Sequence, residues 1–102
     1  MTSHLEYADF VPHVGTSYLI SDELEIPVSL ELIEVTPLGS SDAGVAPDGR
    51  RQAFSLLFRA PETTTIPQQT FALRHASMGT LDIFLVPIGP GKGGALYEAV
   101  FA

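Results

Sequence analysis

Residues Thr70–Pro87 read TFALRHASMGTLDIFLVP, and their alternation decides the fold class. Phe71, Leu73 and His75 share one parity, while Thr70, Ala72 and Arg74 share the other. That is the period-2 pattern of a half-buried strand. The run LDIFLV at 81–86 is nearly continuously apolar, which predicts a central strand covered on both faces. Between the two runs, Ser77, Met78 and Gly79 read as a three-residue loop. Such loops place glycine in the left-handed region of a G1 bulge. This predicts a hairpin with Ala76 opposite Thr80, His75 opposite Leu81, Arg74 opposite Asp82, Leu73 opposite Ile83 and Phe71 opposite Leu85. Charges then meet on one face and apolar side chains on the other. A loop one residue longer would set Leu73 against Asp82.

Working outward, the same pattern recurs in both directions. Ser17–Ile20 reads as a first strand, closed by a turn at Ser21, Asp22 and Glu23. A second strand follows Pro27, where a missing N–H is tolerated. Its residues Val28, Leu30 and Leu32 share one face, and Ile33 and Val35 the other. A β-bulge near Leu32–Ile33 would bring both sets inside. A third strand spans about Arg51 to Ala60, with Phe54, Leu56 and Phe58 facing the core and Leu57 on a partly covered outer face. Ala95–Phe101 alternates as a last strand. Pro37–Gly49, Pro61–Gln69 and the tip Gly89–Gly94 (GPGKGG) read as loops, the first and last of them the most mobile. Leu5–Val11 allows a single helical turn at most before Gly15. No segment sustains a 3.6-residue apolar period. The chain is therefore expected to be all-β. The architecture expected is a small antiparallel barrel or sandwich of about six strands, with at most a short N-terminal helical turn. One domain covers residues 1–102.

Composition narrows the function classes. The 102 residues include no cysteine, which removes disulfides, thiolate metal sites and a cysteine nucleophile. Twelve acidic and five basic residues give a net charge of −7. The basic residues Arg50, Arg51, Arg59, Arg74 and Lys92 are scattered, which argues against nucleic acid as a partner. The acidic cluster Asp22, Glu23, Glu25, Glu31 and Glu34 reads as a solvated face. No apolar run approaches the ~18 residues of a membrane span. The start MTSHLEYADF lacks a basic region followed by an apolar one, so a cytoplasmic protein is expected.

The residues able to carry chemistry are few. His4, His13 and His75 fall at a terminus, a loop and a strand end, without the spacing of a metal site. No metal and no cofactor is expected. His75 shares the parity of Phe71 and Leu73, and is expected to be half-buried and bonded to a backbone carbonyl. Asp82 lies inside an apolar strand, where a cross-strand arginine would balance it. No G-x-S-x-G is present, and the lysine of GPGKGG lacks the flanking pattern of a phosphate loop.

Several of these segments resemble an uncharacterised bacterial family, domain of unknown function 6916. The features are the aromatic-x-Leu-x-His step at Phe71–His75, the Met78–Gly79 turn and the Phe84–Pro87 ending. Asp9-Phe10, Gly15-Thr16, LELIEVTPL at 30–38, FSLLFRAP at 54–61 and YEAVF at 97–101 are similar to its other signatures. The resemblance covers nearly the whole chain. It implies a small all-β domain with no established catalytic residues, whose members sit near genes for tail-collar-like or phage-tail-like proteins. The function expected is a non-enzymatic structural or protein-interaction module, accessory to a phage-tail-like or other larger assembly, with another protein or a second copy as partner. The alternative is a small-ligand-binding barrel with a pocket near Arg74 and His75. The interaction or ligand residues expected are Arg74, His75, Asp82, Phe84 and Leu57.

Overall fold

A computed structural model of the chain describes residues 6–21, 27–38, 53–61, 66–91 and 94–101. His4, Asp22, Glu23, Glu25 and Lys92, together with most of the Pro37–Gly49 loop and the start expected for the third strand, lie outside the described residues. The chain opens with a helical turn α1 (Tyr7–Phe10) and a 3-10 turn at Val11–His13. Six strands follow: β1 (Ser17–Ile20), β2 (Val28–Pro37), β3 (Phe54–Ala60), β4 (Gln69–His75), β5 (Gly79–Gly91) and β6 (Gly94–Phe101). They close into an antiparallel barrel in the order β1-β2-β3-β6-β5-β4. The expected fold class is therefore correct, and barrel rather than sandwich is the answer.

Alternation drives closure. Every second residue of β3 is buried, and Phe54, Leu56, Phe58 and Ala60 fill one side of the interior. Tyr18, Leu30, Phe71, Leu73, Ile83 and Tyr97 fill the rest. Such a small barrel is filled by its own side chains. The bulge in β2 sits where the sequence places it: Leu32 faces Phe58, and Glu34 already faces Leu57. Ile33 is the extra residue and is half-buried, while Val35 turns back onto the core opposite Leu56. The bulge sharpens the bend that lets β2 wrap round. On the outer wall Glu31 sits opposite Arg59, and their side chains meet at 2.6 Å. Both are over a third exposed, so this pair is worth about 0.2–1 kcal/mol.

The ring order has a consequence for connectivity. β3 and β4 lie on opposite sides of the barrel, with β6 and β5 between them. The end of β3 and the start of β4 lie at the same mouth. Ile66, between the two strands in sequence, is fully buried, and its N–H donates to the Tyr97 hydroxyl at 3.1 Å. The strand directions put Pro37, Phe54, Phe101, His75 and Gly79 at the other mouth.

The hairpin β4–β5 departs from expectation. Its register is His75 opposite Gly79, Arg74 opposite Thr80, Leu73 opposite Leu81, Ala72 opposite Asp82 and Phe71 opposite Ile83. The loop is Ala76–Ser77–Met78, one residue earlier than read, because the His75 side chain takes over the turn. Its Nδ1 accepts the N–H groups of Ser77 at 3.0 Å and Met78 at 3.1 Å. The slip is by two residues, so every side chain keeps its face, but Arg74 and Asp82 are not directly opposite. Gly79 does adopt the left-handed region, at φ +80. Covering of β5 on both faces is also overturned: Phe84, on the outer face of the closed barrel, is 48% exposed. The tip read as Gly89–Gly94 is largely ladder, with Gly89 opposite Leu96, Pro90 opposite Ala95 and Gly91 opposite Gly94. A second bulge at Ile88 admits the prolines on either side of it.

Two glycines differ in what a methyl group would meet. At Gly79 a Cβ meets nothing within 4 Å, so only positive φ opposes it. Gly79→Ala is expected to cost about 1 kcal/mol. At buried Gly94 a Cβ would lie 2.0 Å from the Ala60 carbonyl oxygen, a backbone atom that cannot step aside alone. Gly94→Ala is expected to cost about 3 kcal/mol or more. Urea denaturation of the two variants checks the order, and equal losses would show that crowding at Gly94 is relieved.

Candidate functional site

The polar chemistry of the interior gathers at the mouth where the chain enters. Residues 6–16 cross that mouth as a strap. Its apolar end is Phe10, fully buried, with ring centroids 5.7 Å from Phe54 and 5.6 Å from Phe101. Phe54 and Phe101 themselves stack at 4.8 Å. Each such aromatic pair adds about 0.5–1.5 kcal/mol beyond area burial. The strap begins where the Glu6 N–H donates to the Asp9 carboxylate at 2.8 Å, which holds α1 closed. It ends on β2: the Gly15 N–H donates to the Leu32 carbonyl at 2.7 Å, and the Leu32 N–H to the Thr16 carbonyl at 3.0 Å.

The polar end of the strap is pinned by His75. Its Nδ1 accepts two backbone N–H groups, so it carries no proton. The proton must then be on Nε2, 2.8 Å from the Thr16 Oγ1. That hydroxyl in turn donates to the His13 carbonyl at 2.6 Å. Every donor and acceptor along this relay has one consistent assignment, and His75 is the neutral Nε2–H tautomer. The residue is 8% exposed, deeper than the sequence suggests. It bonds backbone N–H groups directly and reaches a carbonyl only through Thr16. Its pKa is pushed below the usual histidine value by burial, and further by the nearby His13 ring at 4.6 Å. Tyr18 lies under it, ring centroids 4.4 Å apart. Burial pushes that phenol up to about 12, with the Thr16 side chain pulling slightly the other way. The phenol therefore stays protonated and donates to the Met78 Sδ at 3.2 Å.

The residues singled out by sequence divide between inside and outside. Arg74 and His75, adjacent in β4, point to opposite faces, so they do not share a pocket wall. Arg74, Asp82, Phe84 and Leu57 belong to the outer wall. Leu57 is half-buried between Glu34 on β2 and Glu98 on β6, and Glu98 is opposite Val86 on β5. Two residues along from that pair stand Phe84 and Val100, 48% and 58% exposed. The sequence reading missed Thr16, Tyr18 and Met78 altogether. No local signal marks Thr16 and Tyr18, because Thr16 lies 59 residues from His75 and Tyr18 lies 60 from Met78. Among the described residues, no group of three or more His, Cys, Asp or Glu is placed to hold a metal ion. No described helix is long and apolar enough to cross a membrane.

Thr16→Val keeps the shape of the side chain and removes the partner of the His75 Nε2–H. Leaving that buried N–H unpaired is expected to cost about 1–3 kcal/mol. Thr16→Ser, which keeps the hydroxyl, is expected to lose under half as much. Thermal denaturation at pH 7.5 checks this, and equal losses would show that the hydroxyl contributes nothing.

No curated protein and no solved structure matches the chain. A family model does match it, over residues 5–101, and its description is domain of unknown function DUF6916. The match takes in the strap, the six strands and both mouths of the barrel, and on that extent the chain belongs to the DUF6916 family.

Proposed function

We propose that this chain is a non-enzymatic structural or protein-interaction module, accessory to a phage-tail-like or other larger assembly, that binds through its outer wall. One observation carries the reading. Phe84 and Val100 stand exposed at the same level of β5 and β6, with Val86 and Leu57 one step along. Single exposed apolar residues are ordinary, whereas a cluster spread over neighbouring strands is the usual mark of a contact surface. The interior, by contrast, is filled by side chains, and the polar groups of the strap are spent on one another.

Charge suggests the partner. Glu34, Glu98 and Asp82 lie on the outer wall among these apolar residues, while Arg59 is engaged with Glu31. The whole chain carries −7. A folded protein offering aliphatic side chains bordered by Lys and Arg is complementary to such a surface. The central apolar residues would supply most of the affinity and the rim charges the orientation.

The double variant Phe84→Ser, Val100→Ser tests this. Both side chains are surface-exposed, so stability should change by about 0.5 kcal/mol or less per site. Tagged wild-type and variant proteins are used to recover partners from the native host, and the recovered partner is then purified. Calorimetric titration with that partner should show at least tenfold weaker binding by the variant. Undiminished binding by the variant overturns the proposed surface.

A further inference from the structure

We propose that the strap and the β4–β5 turn form an acid-sensitive seam across the barrel mouth, closed while His75 is neutral and opened when His75 takes a proton. It stands independently of the outer-wall reading, because it concerns the inside of the barrel.

The geometry makes the two states mutually exclusive. A single imidazole nitrogen, Nδ1, accepts both the Ser77 and Met78 N–H groups. A proton on Nδ1 turns that acceptor into a donor, and three N–H groups would then point at one another. The turn must move or the ring must leave. Either movement breaks the relay, since the other nitrogen of the same ring is held by Thr16 and, through it, by the His13 carbonyl. The turn and the polar end of the strap are thus joined by one titratable side chain.

The surroundings oppose the charged ring. From the 3-10 turn the group facing His75 is His13, itself able to become a cation, at 4.6 Å between ring centroids. From β1 it is the Tyr18 phenol, which stays neutral and has its proton directed at Met78. The turn offers Ser77 and Met78, neither charged. Arg74 on the same strand belongs to the outer wall. The influences lowering the His75 pKa are burial and His13, and no carboxylate among the described residues counters them. A group whose folded pKa is lowered gives stability that is full above its unfolded value, about 6.5. That stability fades as pH falls below this value and through the folded one.

The rest of the strap is held by groups that do not titrate. Phe10 stays against Phe54 and Phe101, and Gly15 and Thr16 stay bonded to Leu32 through the backbone. Acid therefore opens one side of the mouth, around His13, Val14 and residues 76–78, and leaves the barrel standing. The opened side is the one that covers Tyr18 and, beyond it, Phe58 at 5.5 Å.

An NMR titration of the isotope-labelled protein from pH 8 to pH 4 tests the seam. At pH 8 the imidazole nitrogen shifts of His75 should report the Nε2–H tautomer. The ring should titrate with a midpoint below that of a free histidine. Across the same midpoint, amide exchange at Ser77 and Met78, corrected for its intrinsic pH dependence, should accelerate at least tenfold. Exchange at Leu56 and Phe58 in β3 should not. His13→Gln removes a neighbouring cation and should move the midpoint to higher pH. In His75→Asn a carboxamide oxygen can accept the two turn N–H groups at any pH, so protection there should become flat. If that variant fails to fold, the wild-type titration decides alone. Turn amides that stay protected while His75 titrates overturn the proposal. So does a midpoint at or above the free value, or loss of all amides together.

Discussion

Closing a six-stranded sheet on itself removes both hydrogen-bonding edges but leaves two open mouths, and much of this molecule answers to that constraint. An open mouth would expose the ends of a core made of Phe, Leu, Ile and Tyr. The strap covers one mouth and Ile66 is buried at the other, and each is fastened by one buried polar side chain. At one end Ile66 is held by the Tyr97 hydroxyl, and at the other the strap is held by His75. Both polar groups sit where the interior must meet backbone that belongs to no strand, which is where unpaired N–H groups would otherwise be left.

The two fasteners differ in chemistry. The Tyr97 contact is a hydroxyl accepting the amide proton of Ile66. The His75 contact depends on an imidazole nitrogen that can take a proton, and burial holds its pKa below the ordinary histidine value. The apolar end of the strap, where Phe10 packs on Phe54 of β3 and Phe101 of β6, carries no titrating group. A strap with one titrating fastener beside an apolar cluster can loosen at one place without losing its core. The outer wall is separate again. Phe84, Val100, Val86 and Leu57 contribute to neither mouth, which is why surface substitutions there should leave the barrel intact.

How much of this was legible in the sequence depends on the range of the interaction. The strands and the inward and outward faces of β3 and β4 follow from period-2 alternation, a property of each segment alone. The bulge in β2 was legible because two apolar sets of opposite parity, ending at Leu32 and resuming by Val35, cannot both face inward without an extra residue. The positive φ of Gly79 was legible because a tight turn needs it. The hairpin register was not. Cross-strand pairing favoured Arg74 opposite Asp82, but the exposed pair is worth less than the two backbone hydrogen bonds that the His75 ring makes on the other face. The exposure of Phe84 was equally hidden, since an apolar run cannot say whether a second layer of structure will cover it.

The sequence by itself determined the fold class, the absence of thiol chemistry, the acidic charge and the family, because these rest on composition, local periodicity and short motifs. Only the tertiary structure decided that the sheet closes, that β3 and β4 stand on opposite sides, and that His75 meets Thr16, His13 and Tyr18 at one mouth. The physical reason is distance along the chain. Alternation is set by neighbours a few residues apart, whereas the relay through His75 joins groups about sixty residues apart, and nothing in either segment alone requires the other.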